Sequence, residues 1–310
     1  MQNIDVRERI NEFVNTLPES LSVMAYGSSI AFQSGYRKDE KKQIDLIVMV
    51  KDIKKFYDES LKKNSYMYNL IPKIYFNNAS REQLKSGAHI CYTSNINYNG
   101  DTYKIGVIEK NDVIQDLVDW ETFYMAGRMQ KEIYMVKEDM YVNKANELNR
   151  KNALTISLLL LNKEKASLMD LYETLCSLSY IGDSRKTFKA EDPNKVKKIA
   201  SGSKDFFDRE YKDKTDLFIV NEDETISIDY EKVINEMKKL PKKLNEKIYD
   251  AVDINKDFNL EIIRNVIKEY LSDIINKSSK DQTMKGILTT GLTNSISYAH
   301  EKLKKGRKKI

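Results

Sequence analysis

A chain of 310 residues, 41% hydrophobic and 10% aromatic, can bury a substantial core, and its length favours two domains. Its longest strongly apolar run, Ala153 to Leu161, is about half of the roughly 20 residues that a spanning helix needs, which excludes a transmembrane segment. Two distant cysteines, a net charge of +5 and an N-terminus with acidic residues but no apolar core argue against a disulfide framework, a zinc site, a secretory signal or a transit peptide, and for a reducing cytosol.

In chain order, Ile4, Val6, Ile10, Phe13 and Val14 fall at helical spacing, which Pro18 ends. Strands are expected at 21–26 and 44–50, with a polar loop from Gly35 to Lys42, and Asp52 begins a helix through Leu61. Gly87 to Thr93 and Tyr103 to Ile108 alternate around the turn Asn97 to Asp101, which predicts a β-hairpin. Asn111 or Asp112 then caps a helix to about Met125, ended by Gly127, and Ile133 to Val136 suits a further strand. After residue 143 the period turns helical: Asn146 to Asn162, Ser167 to Tyr180 stopping at Gly182, and a helix from Asp192-Pro193 to about Phe207. Residues 216–229 suggest a short hairpin, and Leu260 to Ile275 is amphipathic beyond breaks at Pro241 and Asp253 to Asp257. Helices plus hairpin have the layout of a winged-helix module. Much of the positive excess lies between Lys277 and Lys309, where bases far outnumber Asp281 and Glu301, a pattern that suits an anionic partner.

The stretch with the clearest chemistry is Ala25-Tyr26-Gly27-Ser28-Ser29, followed by Ile44-Asp45-Leu46-Ile47-Val48. A glycine-serine turn after a strand lets backbone N–H groups and hydroxyls approach a triphosphate, and a carboxylate on the neighbouring strand can hold Mg²⁺ against it. This order resembles polymerase-β-like nucleotidyltransferases, in which Gly-Ser precedes an Asp-x-Asp pair. Ile47 stands where the second carboxylate would be, so another metal ligand must come from elsewhere in the chain.

Beyond that superfamily, the chain resembles the mitochondrial translocator assembly and maintenance protein family of soluble-type CDP-diacylglycerol synthases. The resemblance runs nearly end to end, through Tyr26-Gly27-Ser28, Ile44-Asp45, Gly87-Ala88, Lys104 with Gly106-Val107, Asp116-Leu117 with Trp120, and Tyr124 with Ala126-Gly127-Arg128 and Lys131. It continues through Leu178-Ser179-Tyr180 with Gly182-Asp183 and Arg185, then Ser278-Ser279, Gln282-Thr283, Lys285-Gly286 and Tyr298-Ala299. The resemblance implies a phosphatidate cytidylyltransferase acting on CTP and phosphatidic acid with Mg²⁺. It also implies an α+β fold: a polymerase-β-like nucleotidyltransferase domain with a mixed sheet flanked by helices over residues 1–143, a helical winged-helix-like domain over 144–245, and C-terminal helices with a basic membrane-associating segment over 246–310. Asn294, Ser297 and His300 depart from the family pattern of lysines and a tryptophan. The N-terminus points to a bacterial member, cytoplasmic and peripheral to the inner face of the cell membrane.

On this basis Asp45 is the first Mg²⁺ ligand and Asp183 the candidate for the second, since Gly182 can turn it towards a cleft; an ion pair with Arg185 is the plainer alternative. Tyr26, Gly27, Ser28 and Ser29 form the phosphate turn, with Tyr26 packing beside it. Lys104, taken as catalytic, and Arg128, Lys131 and Arg185 neutralise CTP and the lipid phosphate; a solvated charged face is the plainer alternative for each. For membrane contact the candidates are Lys285, Leu288, Leu292, Lys302 and Lys304, with apolar positions at helical spacing and lysines at the flanks; packing against the protein's own core is the competing expectation. No nucleic acid is expected. The competing functions are a nucleotidyltransferase with an RNA or protein acceptor and a non-catalytic nucleotide-binding assembly protein.

Overall fold

Period-two alternation organises the centre of the molecule. In β1 (Ser22–Tyr26) and β2 (Ile44–Val50) successive side chains leave opposite faces of the sheet, and each face feeds its own buried cluster. Val23, Ala25, Leu46 and Val48 join one, while Met24, Ile47 and Met49 join the other. The computed structural model describes residues 5–30, 43–161, 163, 165–182, 194–252 and 259–290. Within them, β3 (Ile90–Tyr98), β4 (Asp101–Glu109) and β5 (Ile133–Lys137) complete a five-stranded sheet in the order β3-β4-β2-β1-β5. It is mixed, because β2 pairs parallel with β4 while the other pairs are antiparallel.

The first face is covered by α1 (Val6–Thr16), α2 (Ile53–Lys63), α3 (Leu70–Asn78) and α4 (Arg81–Lys85), which contribute Ile10, Phe13, Phe56, Phe76 and Leu84. Tyr57 of α2 stacks on Phe76 of α3 at 3.9 Å. The 63–86 segment carries no strong periodic signal, and its two short helices were not legible from pattern alone.

The second face packs on α5 (Lys110–Asp119), α6 (Ala126–Met129) and α7 (Met140–Leu160). The helix expected to run on to Met125 instead ends at Trp120, which adopts φ 51°. Asp116 explains the break: its carboxylate accepts from the N–H groups of Thr122 (2.6 Å), Phe123 (2.8 Å), Met125 (2.7 Å) and Ala126 (3.1 Å). Helix α7 starts at Met140 rather than at Asn146, because the Asp139 side chain caps it through Tyr141 and Val142.

Beyond α7 come α8 (Leu168–Ser177), α9 (Lys195–Gly202), α10 (Lys204–Phe207) with a π-turn at Asp208–Lys212, the hairpin β6 (Phe218–Val220) and β7 (Ile226–Ile228), α11 (Tyr230–Met237) and α12 (Lys242–Ala251). The last helix, α13 (Leu260–Thr290), runs well past the expected end at Ile275 and returns to pack on α3 and β3. Gly182 permits part of that return, since a Cβ there would lie 2.7 Å from the Cα of Ser272. Among the described residues no helix is long and apolar enough to cross a membrane.

Candidate active site

Register brings the first three site residues together. Tyr26 of β1 lies opposite Asp45 of β2, and Asp45 is in turn paired with Lys104 of β4. By alternation all three leave the sheet on the side of Met24, Ile47 and Ile108, the face that packs on α5 to α7. Tyr92 of β3 joins them: Lys104 Nζ sits over its ring at 4.3 Å, and its hydroxyl is 3.4 Å from that of Tyr26. Gly106 makes room for the ring, since a Cβ there would fall 2.6 Å from Tyr92 Cε1.

The Gly27 bend closes one side. Its φ of +82° suits glycine, and a Cβ would stand 3.3 Å from Asp45 Oδ2. A side chain at this position would therefore press on the carboxylate. Ser29 Oγ, two residues on in the chain, is buried with no hydrogen-bond partner, an orphaned hydroxyl in the bend segment.

Arg128 arrives from α6. Its guanidinium lies over the ring of Tyr124 at 3.7 Å and over that of Tyr26 at 5.7 Å, and Nη1 donates to the Tyr124 carbonyl at 2.6 Å. Arg128 Nε is buried without a partner. The Tyr124 hydroxyl donates to that of Tyr92 at 3.3 Å. Burial, and then the Asp45 carboxylate, push the Tyr26 hydroxyl up against the opposing pull of Lys104 and Arg128. Tyr26 therefore stays protonated at neutral pH and is no base.

Lys131 lies one turn further on. It donates to the Gly127 carbonyl (2.9 Å) and to Ser179 Oγ (2.5 Å), and its Nζ sits over the Tyr180 ring at 5.2 Å. It holds α6 to the segment that leads to Gly182. Asp183 and Arg185 fall outside the described residues, as do Leu292, Lys302 and Lys304; Leu288 lies near the end of α13. The expectation that Lys285 faces a membrane is corrected: it is only 5% exposed, and its amine donates to the carbonyls of Leu84 and Ser86 (2.8 Å to the latter). Both carbonyls lie at the end of α4; that of Leu84 also accepts from the Cys91 thiol at 3.1 Å, and the lysine donates to both.

A cleft of about 140 Å³ opens beside Arg128. Its wall includes Tyr124 and Ser179, and α13 adds Ser278, Ser279 and Thr283. Sequence reasoning gave these hydroxyls no role, although Ser278-Ser279 and Gln282-Thr283 belong to the motifs that carry the resemblance. Among the described residues no three acidic, histidine or cysteine side chains cluster as a metal site. Both cysteines are free and buried, with thiols pushed up by burial to about 11 at Cys91 and about 12 at Cys176, which leaves no nucleophilic thiolate.

With that geometry in place, comparison with known proteins decides the family. Residues 10–305 match the family model described as phosphatidate cytidylyltransferase, mitochondrial. The chain belongs to this family. It is 29% identical to the phosphatidate cytidylyltransferase of Schizosaccharomyces pombe over 97% of this chain and 84% of that protein. It is 30% identical to that of Bos taurus (95% and 93%) and 32% identical to that of Homo sapiens (90% and 66%). Its activity is that of the family, a nucleotidyltransferase reaction in which CTP and phosphatidate give CDP-diacylglycerol and pyrophosphate. Because these relatives are described as mitochondrial, the expectation of a cytoplasmic enzyme on the inner face of the cell membrane is overturned, and that of a bacterial member is not borne out.

Proposed function

We propose that cytidylyl transfer takes place where Gly27, Asp45, Lys104 and Arg128 converge. The observation that carries this reading is the in-register row Tyr26, Asp45 and Lys104, with the Arg128 guanidinium over Tyr26 at 5.7 Å and unpartnered polar atoms at Ser29 Oγ and Arg128 Nε. A phosphate oxygen of the lipid attacks the α-phosphorus of CTP in line, the new P–O bond forms, and pyrophosphate departs with the electron pair. The attacking oxygen is an ionised phosphomonoester, so no side chain has to remove a proton. Such transfers need positioning and charge neutralisation above all.

The Gly27 turn with Ser28 and Ser29 takes the triphosphate, and Lys104 places a point charge on it. Arg128, which lines the cleft, supplies positive charge where the lipid phosphate meets CTP. Ser179, Ser278, Ser279 and Thr283 surround the lipid phosphate. Mg²⁺ suits the donor set at the bend, because this ion commonly uses one or two carboxylates plus substrate phosphates. Asp45 would hold it, with Asp183 as the second carboxylate; when bound it neutralises charge on the phosphates.

The hairpin β6–β7 and its neighbouring helices suit a winged-helix-like domain over 144–245, between a nucleotidyltransferase domain over 1–143 and C-terminal helices over 246–310. The basic residues of the C-terminal segment suit attraction to an anionic membrane. An RNA or protein acceptor is disfavoured by family membership, which also argues against a non-catalytic role.

The test is kinetic. Asp45→Asn is expected to keep the wild-type melting temperature and lose on the order of 100-fold or more in kcat, as for other preorganised charge-stabilising groups. Lys104→Ala is expected mainly to raise KM for CTP. Normal product formation by Asp45→Asn would remove this residue from the mechanism.

A further inference from the structure

The first turns of α3 expose apolar side chains that the fold does not use. Leu70 is 72% exposed, Ile71 52% and Ile74 57%, and Tyr66 in the preceding turn is 57% exposed. Spacing of one and four residues puts Leu70, Ile71 and Ile74 on one side of the helix, while Pro72 and Phe76 face the core. Helix α3 thus buries one stripe against the sheet and offers a second to solvent. Scattered surface apolar residues need no explanation, but three on one helical face within a single turn do.

Charge around this face selects the occupant. From Ser60 to Ser80 the chain carries Lys62, Lys63 and Lys73 and no carboxylate, while Arg81, the next residue, is paired with Glu109 at 2.6 Å. An exposed apolar stripe with lysines at the end of α2 and within α3 itself matches the interface of an anionic bilayer, where side chains enter the acyl boundary and amines meet headgroup phosphates. The position agrees with this. Helix α13, which lines the cleft with Ser278, Ser279 and Thr283, packs on α3, and Met284, next to Thr283, is itself 72% exposed. Cleft and apolar face are therefore fixed to one another by a single helix.

We propose that the exposed face of α3, formed by Leu70, Ile71 and Ile74, is the surface that docks this enzyme on an anionic lipid bilayer and presents the cleft to its lipid substrate. This rests on the reading of phosphatidate as the acceptor and adds where the membrane is met. The site was not among the expected membrane residues, which all lie in α13 or beyond it.

The experiment compares the full-length wild type with Leu70→Glu/Ile74→Glu. Sedimentation is measured with phosphatidylcholine vesicles containing phosphatidylglycerol, and turnover is measured with phosphatidate in vesicles and with dihexanoyl phosphatidate in free solution. The double variant is expected to lose about tenfold or more in vesicle binding and a similar factor in turnover on vesicles, with turnover of the soluble lipid unchanged. A charge variant, Lys62→Glu/Lys63→Glu, is expected to weaken sedimentation in the same direction and to reduce its dependence on salt. Undiminished sedimentation of both variants overturns the proposal, and so does a wild-type dimer that Leu70→Glu/Ile74→Glu makes monomeric, since a second copy would then occupy the face. Sedimentation does not depend on catalysis, so a wild type that binds vesicles but converts neither lipid would refute the acceptor reading and leave the docking surface standing.

Discussion

At the scale of single residues, the site depends on a backbone conformation as much as on charge. Gly27 holds φ +82° with Asp45 Oδ2 only 3.3 Å from where a Cβ would sit. Gly27→Ala is therefore expected to cost about 1–2 kcal/mol of stability for the left-handed backbone, and to displace the carboxylate. Urea unfolding should show the first effect and a drop in CDP-diacylglycerol formation the second. A second residue, His89, sits at φ 60° with Nδ1 3.4 Å from Asp112 Oδ1. Its hydrogen bond to Asp112 raises its pKa above the ordinary 6.5 despite partial burial. Burial works to raise the Asp112 pKa, but the bonds from His89 and Lys85 outweigh it and hold this carboxyl below the ordinary 3.8. The stabilisation from His89 is fully present below 6.5 and is lost as pH rises through its raised folded value; that from Asp112 is present above 3.8 and fades as pH falls through its lowered one. His89→Asn keeps a side chain that tolerates positive φ. Its stability deficit should be widest between those two ordinary values and should close in alkaline solution, as read by thermal melts across pH. A deficit that does not change with pH would assign the loss to packing.

At the scale of elements, the connection between α5 and α6 decides where Arg128 stands. One carboxylate, Asp116, gathers four backbone N–H groups and the Thr122 hydroxyl (2.9 Å) around itself. Asn149 of α7 adds a second buried knot, accepting from Trp120 Nε1 and Gln130 Nε2 at 2.9 Å each and donating to the Ala126 carbonyl at 3.1 Å. Buried donors stripped of their acceptor cost about 1–3 kcal/mol each. Asp116→Ala strands four N–H groups and should therefore destabilise by about 4 kcal/mol or more. The expected readouts are a large fall in the urea midpoint and a loss of activity, even though Asp116 touches no substrate in the proposed site.

For the whole molecule, α13 ties the ends of the chain together. Lys285 reaches the end of α4, Gln282 Nε2 donates to the Ile90 carbonyl at 3.2 Å, and Arg264 Nε donates to that of Leu159 at 2.8 Å. The Lys285 amine is held below the usual lysine range by its burial. Lys285→Met keeps most of the side-chain volume but leaves the Ser86 carbonyl without its donor and the Leu84 carbonyl with the weak Cys91 thiol alone. Faster amide exchange is expected through α4 and the second half of α13, with weakened turnover because α13 carries the cleft hydroxyls. Unchanged exchange in both segments would show that apolar packing alone seats the helix.

Much of this was legible in the sequence because it is local. Alternating Val23-Met24-Ala25 and Leu46-Ile47-Val48 fixed strands, glycine followed by serines marked the phosphate turn, and the string of weak motifs pointed to the family. Register and long-range contact are not local quantities. That Lys104 pairs beside Asp45 and that Lys285 is sealed inside follow from hydrogen bonds between segments far apart in the chain, whereas Trp120 breaks a helix whose pattern runs on to Met125 because the Asp116 side chain gathers the N–H groups that follow it. A lysine near a basic C-terminus looks solvent-facing by composition, whereas inside the fold its amine meets two carbonyls some 200 residues away. Local pattern determined the elements and their chemistry; the tertiary structure decided which of them meet, because desolvated polar groups must find partners wherever the fold places them.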